Sequence, residues 1–190
     1  MSQPLFLITG APGSGKTATA NALMRRFPFG LHIPVDDLRE WVVSGIAHPV
    51  PEFTGETGRQ FRLARRAAAQ IAATYADAGF AVAIDDVIYE PDAETCYVAP
   101  LAPRTIHKIL LQPSLEVALA RNAERTNKDF DTAVLVETIR GSHRTLAAQN
   151  RPENGWIVID NATLSLGQTV DAILAAAGLS PFTSQAENKV

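Results

Sequence analysis

Gly10-Ala11-Pro12-Gly13-Ser14-Gly15-Lys16-Thr17 is the stretch that decides the fold. It satisfies G-x-x-x-x-G-K-[ST] at every fixed position, and each fixed residue type has a physical task. Gly10, Gly13 and Gly15 admit backbone angles closed to other residues and let amide groups approach phosphate oxygens with no Cβ in the way. Those amides, with the positive end of the helix that follows, make a cradle for anions. Lys16 has the reach to meet β- and γ-phosphates, and the Thr17 hydroxyl is the expected Mg2+ ligand. The turn from Gly10 to Thr17, with Ala18 just beyond it, is therefore the expected nucleotide-binding segment. Four fixed positions of this kind arise by accident in roughly 1% of chains this long. Context removes most of that chance. The motif follows Leu5-Phe6-Leu7-Ile8-Thr9, an apolar run typical of a strand buried on both faces, and it opens a helix over residues 16–27.

Outward from this loop, apolar runs at 31–35, 80–84, 105–111 and 156–159 read as four more strands. Helical patterns alternate with them: from Asp36-Asp37 to about 42, over 56–77, a short one opened by Pro91, one starting at Ser114, then 132–149 and 166–177. Residues 48–58, rich in proline, glycine and threonine, form an irregular loop. Five buried strands alternating with helices specify an α/β layer structure with a parallel sheet and right-handed crossovers. One domain is expected over residues 1–180, with 181–190 a frayed tail.

Composition bounds the function. The chain has 190 residues, 46% hydrophobic and 19% charged, which suits one globular domain. A net charge of −3 supplies no overall basic field for nucleic acid, so a nucleic-acid partner is not expected. Cys96 is the single cysteine, without a metal-spaced histidine nearby, and reads as a small structural hydrophobe. The start, Met1-Ser2-Gln3-Pro4, lacks the basic flank of a signal peptide, and no apolar stretch approaches a membrane helix. A soluble, cytoplasmic protein acting as a monomer or homodimer is the expectation.

In a parallel sheet, ligands gather beyond the carboxyl ends of the strands. The second strand ends at Asp36 and the third at Asp85-Asp86, so both acids should meet the phosphate loop in one crevice. Asp85, closing the run Ala81-Val82-Ala83-Ile84, is the favoured Mg2+ residue; Asp86 is the alternative, or a cap. Asp36 is placed to take the proton from an attacking hydroxyl or to orient it, and Asp37 to cap the helix.

On these residues the chain resembles the small P-loop kinases of the nucleoside-monophosphate-kinase-like group, such as gluconate kinase, shikimate kinase and chloramphenicol phosphotransferase-like proteins. The family's phosphate loop falls on Gly10–Thr17, its strand-ending acid on Val35-Asp36-Asp37-Leu38, its paired acids on Asp85-Asp86, and its Arg-x-x-x-Arg lid entry on Arg121 and Arg125. The likeness runs over about residues 4–178. It implies a three-layer P-loop NTPase fold with a sheet ordered 2-3-1-4-5 and helices on both faces. It also implies a lid near 121–131 and ATP- and Mg2+-dependent phosphorylation of a small-molecule acceptor. Arg125 is followed by Thr126-Asn127-Lys128, without the glycine common in such lids.

Arg121 and Arg125 are four apart and share one helix face, where planar guanidinium forks suit a γ-phosphate. Arg59, Arg62 and Arg66 line one side of the long helix, opposite Phe61, Ala64, Ala68, Ile71 and Tyr75, either as its wet face or as groups that recognise a phosphate or carboxylate of the substrate. Loop 48–58 is a candidate cover for the acceptor, through His48 or Glu52, while His107 and His143 read as structural. The adenine pocket is expected around Arg121 and Asp160-Asn161. Thr126-Asn127-Lys128-Asp129 fails as a guanine-reading N-K-x-D, because Phe130 occupies the required acidic position. Two further readings stand beside the kinase: an ATPase switch with no small-molecule acceptor, and a kinase of nucleic-acid ends.

Overall fold

β1 (Leu5–Thr9) is buried along its whole length and turns alternate side chains to opposite faces. Leu5 and Leu7 join Val82 and Ile84 of β3 (Ala81–Asp85) in one core; Phe6 and Ile8 join Ala81 and Ala83 in the other. The first core is covered by α3 (Gly55–Asp77), by the short helices α4 (Glu90–Ala93) and α5 (Ala99–Leu101), and by α6 (Leu115–Ala123) and α7 (Val136–Gln149). The second is covered by α1 (Lys16–Met24) and α8 (Leu166–Ala176). The result is helices, sheet, helices in three layers. The computed structural model describes residues 3–124 and 132–179.

The sheet adds β2 (Gly30–Pro34), β4 (Ile106–Leu111) and β5 (Trp156–Ile159), all pairs parallel, in the order β2-β3-β1-β4-β5. The order implied by the resemblance is therefore the one found. Register aligns Pro34 with Asp85 and Ile8 with Asp85, so the loops after β1, β2 and β3 leave the sheet side by side.

Three elements differ from expectation for physical reasons. α1 ends at Met24 rather than 27, because Pro28 cannot continue a helix and Phe27 turns inward to meet Phe6 at 6.1 Å. β2 stops at Pro34, which is itself the residue before α2 (Val35–Glu40). Asp36 and Asp37 thus lie in the first turn of α2 and neither caps it. The helix opened near Pro91 continues through a π turn at Glu94–Val98 into α5. Pro100 lacks the N–H that an α-helical turn would use, and the wider turn lets Ala99 N–H reach the Glu94 carbonyl instead. Among the described residues no helix is long and apolar enough to cross a membrane. Arg125, the lid segment to Asp131 and the tail 181–190 lie outside the described residues.

Candidate active site

The phosphate loop is held from two sides, by α6 and by the segment after β5. At Gly13 (φ 85°) a Cβ would run into the Ala118 carbonyl of α6, so the loop can seat there only without a side chain. Gly15 is different. Its φ of 92° requires glycine, yet a Cβ would have open space, with nothing nearer than Asn161 Nδ2 at 3.7 Å. Asn161, buried after β5, donates from that Nδ2 to the Ser14 carbonyl at 3.0 Å. Arg121, at the end of α6, donates to the carbonyls of Asn161 (3.0 Å) and Ala162 (3.3 Å). The structure thus brings Arg121 to the segment after β5, as the sequence reading expected, and joins both to the phosphate loop.

Beyond Gly15, α1 begins at Lys16, and its first N–H groups have no carbonyl one turn earlier to bond. Lys16 bends over the loop, its Nζ 3.4 Å from the Ala11 carbonyl. Thr17 and Ala18 are exposed. Thr17 Oγ1 donates to Asp85 Oδ2 at 2.7 Å. His32, on β2, places Nε2 3.5 Å from the same carboxylate oxygen, close enough for charge interaction but without a well-formed hydrogen bond. Burial, the largest influence on Asp85, acts to raise its pKa. His32, the Lys16 ammonium and the Thr17 hydroxyl outweigh it and hold the carboxyl below its ordinary range. A hydroxyl and an ionised carboxylate in contact are hard oxygen donors that fit Mg2+. Among the described residues no cluster of three or more His, Cys, Asp or Glu competes for a metal.

Asp86 points elsewhere. It accepts from Arg65 Nε at 2.7 Å and from the Tyr97 hydroxyl at 2.9 Å, while Arg65 also donates to the Val87 carbonyl at 2.9 Å. Burial pushes the Asp86 carboxyl above its ordinary range, against the pull of Arg65 and Tyr97. This is a buried ion pair that fastens α3 to the end of β3, and Asp86 drops out as the alternative metal residue.

Asp36 is 62% exposed and lies 3.9 Å from Arg39 Nη1. Arg39 is buried, rests 3.9 Å from the centre of the Phe61 ring and donates to the Ala47 carbonyl at 2.8 Å. Burial, the dominant influence, lowers the Arg39 pKa although Asp36 and Glu40 raise it.

Sequence reasoning missed Arg65, Arg39 and Asn161's link to Ser14. Arg65 had a signal: it falls four residues after Phe61, on the apolar side of α3, where a charge needs a buried partner. Arg59, on the wet side, pairs with Glu56 at 2.8 Å. The turn before the candidate cover loop is tied down by Gln60, which receives the Ala47 N–H (2.9 Å) and donates to the Gly45 carbonyl (2.8 Å), and the loop itself is closed by Thr57, whose hydroxyl donates to the His48 carbonyl at 3.3 Å. His107 sits 5.3 Å from the Phe6 ring, and His143 bonds Gln112 and the Pro113 carbonyl; both are structural, as is half-buried Cys96. Two shallow depressions, one bordered by Glu90 and Arg151 and one by Arg140 and Arg144, include no residue of the phosphate loop. The chemistry-bearing groups instead follow β1, β2 and β3, whose ends lie side by side.

A family model described as an AAA domain matches residues 5–149. Several solved structures share the fold. The tunicamycin resistance protein of Deinococcus radiodurans is 20% identical, with 94% of this chain and 97% of that one covered at a TM-score of 0.64. A sugar kinase from Janibacter is 21% identical, with coverage of 94% and 96% and a TM-score of 0.65. A gluconokinase from Sinorhizobium meliloti is 16% identical, with 92% and 91% covered and a TM-score of 0.62. No curated protein sequence matches the chain.

Proposed function

This chain belongs to the AAA domain family, and from that premise we propose that it is an ATP-dependent phosphotransferase moving the γ-phosphate to a hydroxyl or phosphate of a small molecule. The observation that carries the reading is the alignment of strand ends. Pro34 lies in register with Asp85, so the Thr17–Asp85 pair and Asp36, in the first turn of α2 just past β2, lie beyond neighbouring strand ends. A nucleotide switch needs the first pair; an acceptor hydroxyl also needs the second. Fold relatives described as a sugar kinase and a gluconokinase lend the same reading support.

The amides of Gly13 to Thr17 and Lys16 hold the β- and γ-phosphates, and Arg121 holds the base-side loop against them. Thr17 and Asp85 are the residues that would hold Mg2+, which supplies charge neutralisation on the phosphate oxygens when bound. The acceptor oxygen bonds to the γ-phosphorus as the bond from that phosphorus to the β–γ bridging oxygen breaks. ADP departs and the hydroxyl proton passes to Asp36. Positioning and electrostatics supply most of the acceleration. Arg125 belongs to this proposal as a lid cation by its spacing from Arg121. With ATP as donor, the reading carries a cytoplasmic location.

The test is a screen of hydroxyl-bearing metabolites with labelled ATP, read by mass shift, beside Asp36→Asn. The expected result is a phosphorylated product that Asp36→Asn loses while ATP affinity stays within twofold. Consumption of ATP with no phosphorylated product would replace this reading with the switch.

A further inference from the structure

We propose that His32 is a positioning residue for Asp85: its imidazole and the Thr17 hydroxyl together fix the rotation of that carboxylate before a metal ion arrives. The inference rests on the metal role given to Thr17 and Asp85 in the phosphotransferase reading, and deepens it.

His32 lies in the middle of β2, an edge strand, in register with Ala83 of β3. Residues two apart on a strand share a face, so Ala83 and Asp85 point to one side of the sheet, and His32 points there with them. That side is the one α1 covers, since Ala83 packs in the same core as Ala20 and Leu23. Thr17 stands in the first turn of α1. The carboxylate is therefore reached from two elements. From α1, Thr17 Oγ1 donates to Asp85 Oδ2 at 2.7 Å; from β2, His32 Nε2 stands 3.5 Å from the same oxygen.

The nitrogen has no other employment. Nε2 is buried without a hydrogen-bond partner, and among the described residues its single ion contact is with Asp85. A polar atom hidden from water without a partner is costly, and an apolar side chain would fill the space between α1 and the sheet edge free of that cost. Packing alone thus gives no reason for a nitrogen here. At 3.5 Å the contact is longer than a hydrogen bond, and an approach to about 3.0 Å would complete one. Both contacts fall on Oδ2; among the described residues Oδ1 accepts no hydrogen bond. A carboxylate turns readily about its last bond, and two groups on one oxygen remove that freedom. A cation then meets an acid that is already oriented. Outer partners of this kind control about tenfold to a hundredfold of metal affinity.

The experiment measures, by calorimetry on the full chain, affinity for a non-hydrolysable ATP analogue with and without Mg2+. The ratio of the two isolates the contribution of the ion and needs no acceptor. His32→Leu and His32→Phe should each lower the ratio about tenfold or more, while affinity for the metal-free analogue stays within twofold. His32→Gln sets an amide nitrogen where Nε2 stands and should recover the ratio to within about threefold of wild type. His32→Asn is too short to reach Asp85 and should not. Equal ratios in His32→Gln and His32→Asn overturn the proposal, because the ring's packing and not its nitrogen would then be the cause. That pair decides the matter even where an apolar variant has a lowered thermal midpoint. A wild-type ratio in His32→Leu, with Asp85→Asn lowering it, also overturns the proposal and leaves the phosphotransferase reading intact. A ratio near one in the wild-type protein removes the metal role of Thr17 and Asp85, and His32 with it. ATP consumed without a phosphorylated product removes the phosphotransferase alone, and the calorimetric ratios still decide His32.

Discussion

Asp85 and Asp86 are chemical twins one residue apart, and the alternation of an extended chain sends them to different tasks. Asp85 meets Thr17 and carries a depressed pKa; Asp86 meets Arg65 and Tyr97 under burial that raises its own. The sign for Asp85 follows from its direction. A carboxyl held below its unfolded value adds stability above that value, and the gain is lost as pH falls through the folded one. Wild-type stability should therefore decline on the acid side below about pH 4, and Asp85→Asn should flatten that limb in urea titrations taken at stepped pH. The same variant should lower turnover by about 100-fold or more, as expected when charge on a transferring phosphate loses its partner. For Asp86, removing its partner strands a buried charge. Arg65→Met should cost about 3–5 kcal/mol by chemical denaturation, and adding Asp86→Leu should recover a good part of it. A single-variant loss under about 1 kcal/mol would mean the pair is wetter than its burial indicates. Asp85 was legible because it ends an apolar run. Arg65 was legible only as a charge on the apolar side of α3, because its partner Asp86 lies 21 positions away in sequence.

Elements that sequence pattern locates well are those whose own residues decide them. β1, β3 and α3 carry continuous apolar or helical signals, and their observed bounds fall within about a residue or two of expectation. The run from Glu90 to Leu101 was less legible, since Pro91 marks only the opening of a short helix and the π turn that accommodates Pro100 has no local signature. Links between elements are harder still. Asn161 and Ser14 are 147 positions apart, and no spacing rule joins the loop after β5 to the phosphate loop. That link has a measurable consequence. Asn161→Asp replaces a buried donor with an acceptor facing the Ser14 carbonyl, a change of about 1–3 kcal/mol. Mg-ATP affinity by calorimetry should fall roughly tenfold to a hundredfold, and affinity for Mg-tripolyphosphate should fall with it, because the phosphate loop itself is displaced. Loss confined to ATP would instead confine Asn161 to the base side.

At the scale of the whole molecule, the phosphate-loop end of the sheet draws on both cores. The phosphate loop leads into α1 on one face of the sheet and is seated against α6 on the other. The proposed metal pair spans α1 and β3, and Asp86 continues from β3 to α3. A nucleotide bound there touches groups from both layers, so its binding energy should appear as stability of the entire domain rather than of one loop. Ligand at about 100 times its dissociation constant adds about 2.7 kcal/mol when it binds only the folded state. For a chain of this size, that corresponds to a rise in Tm of about 5–11 °C. The rise should need Mg2+ and ATP together, and should be largely absent in Lys16→Ala, which in the unliganded fold gives up a 3.4 Å contact to the Ala11 carbonyl and a positive charge near Asp85. Differential scanning calorimetry of both proteins, with and without each component, measures it. A single transition moving as one would tie the two cores together through the site. A wild-type midpoint indifferent to Mg-ATP at millimolar concentration would remove nucleotide binding, and every functional claim built on it.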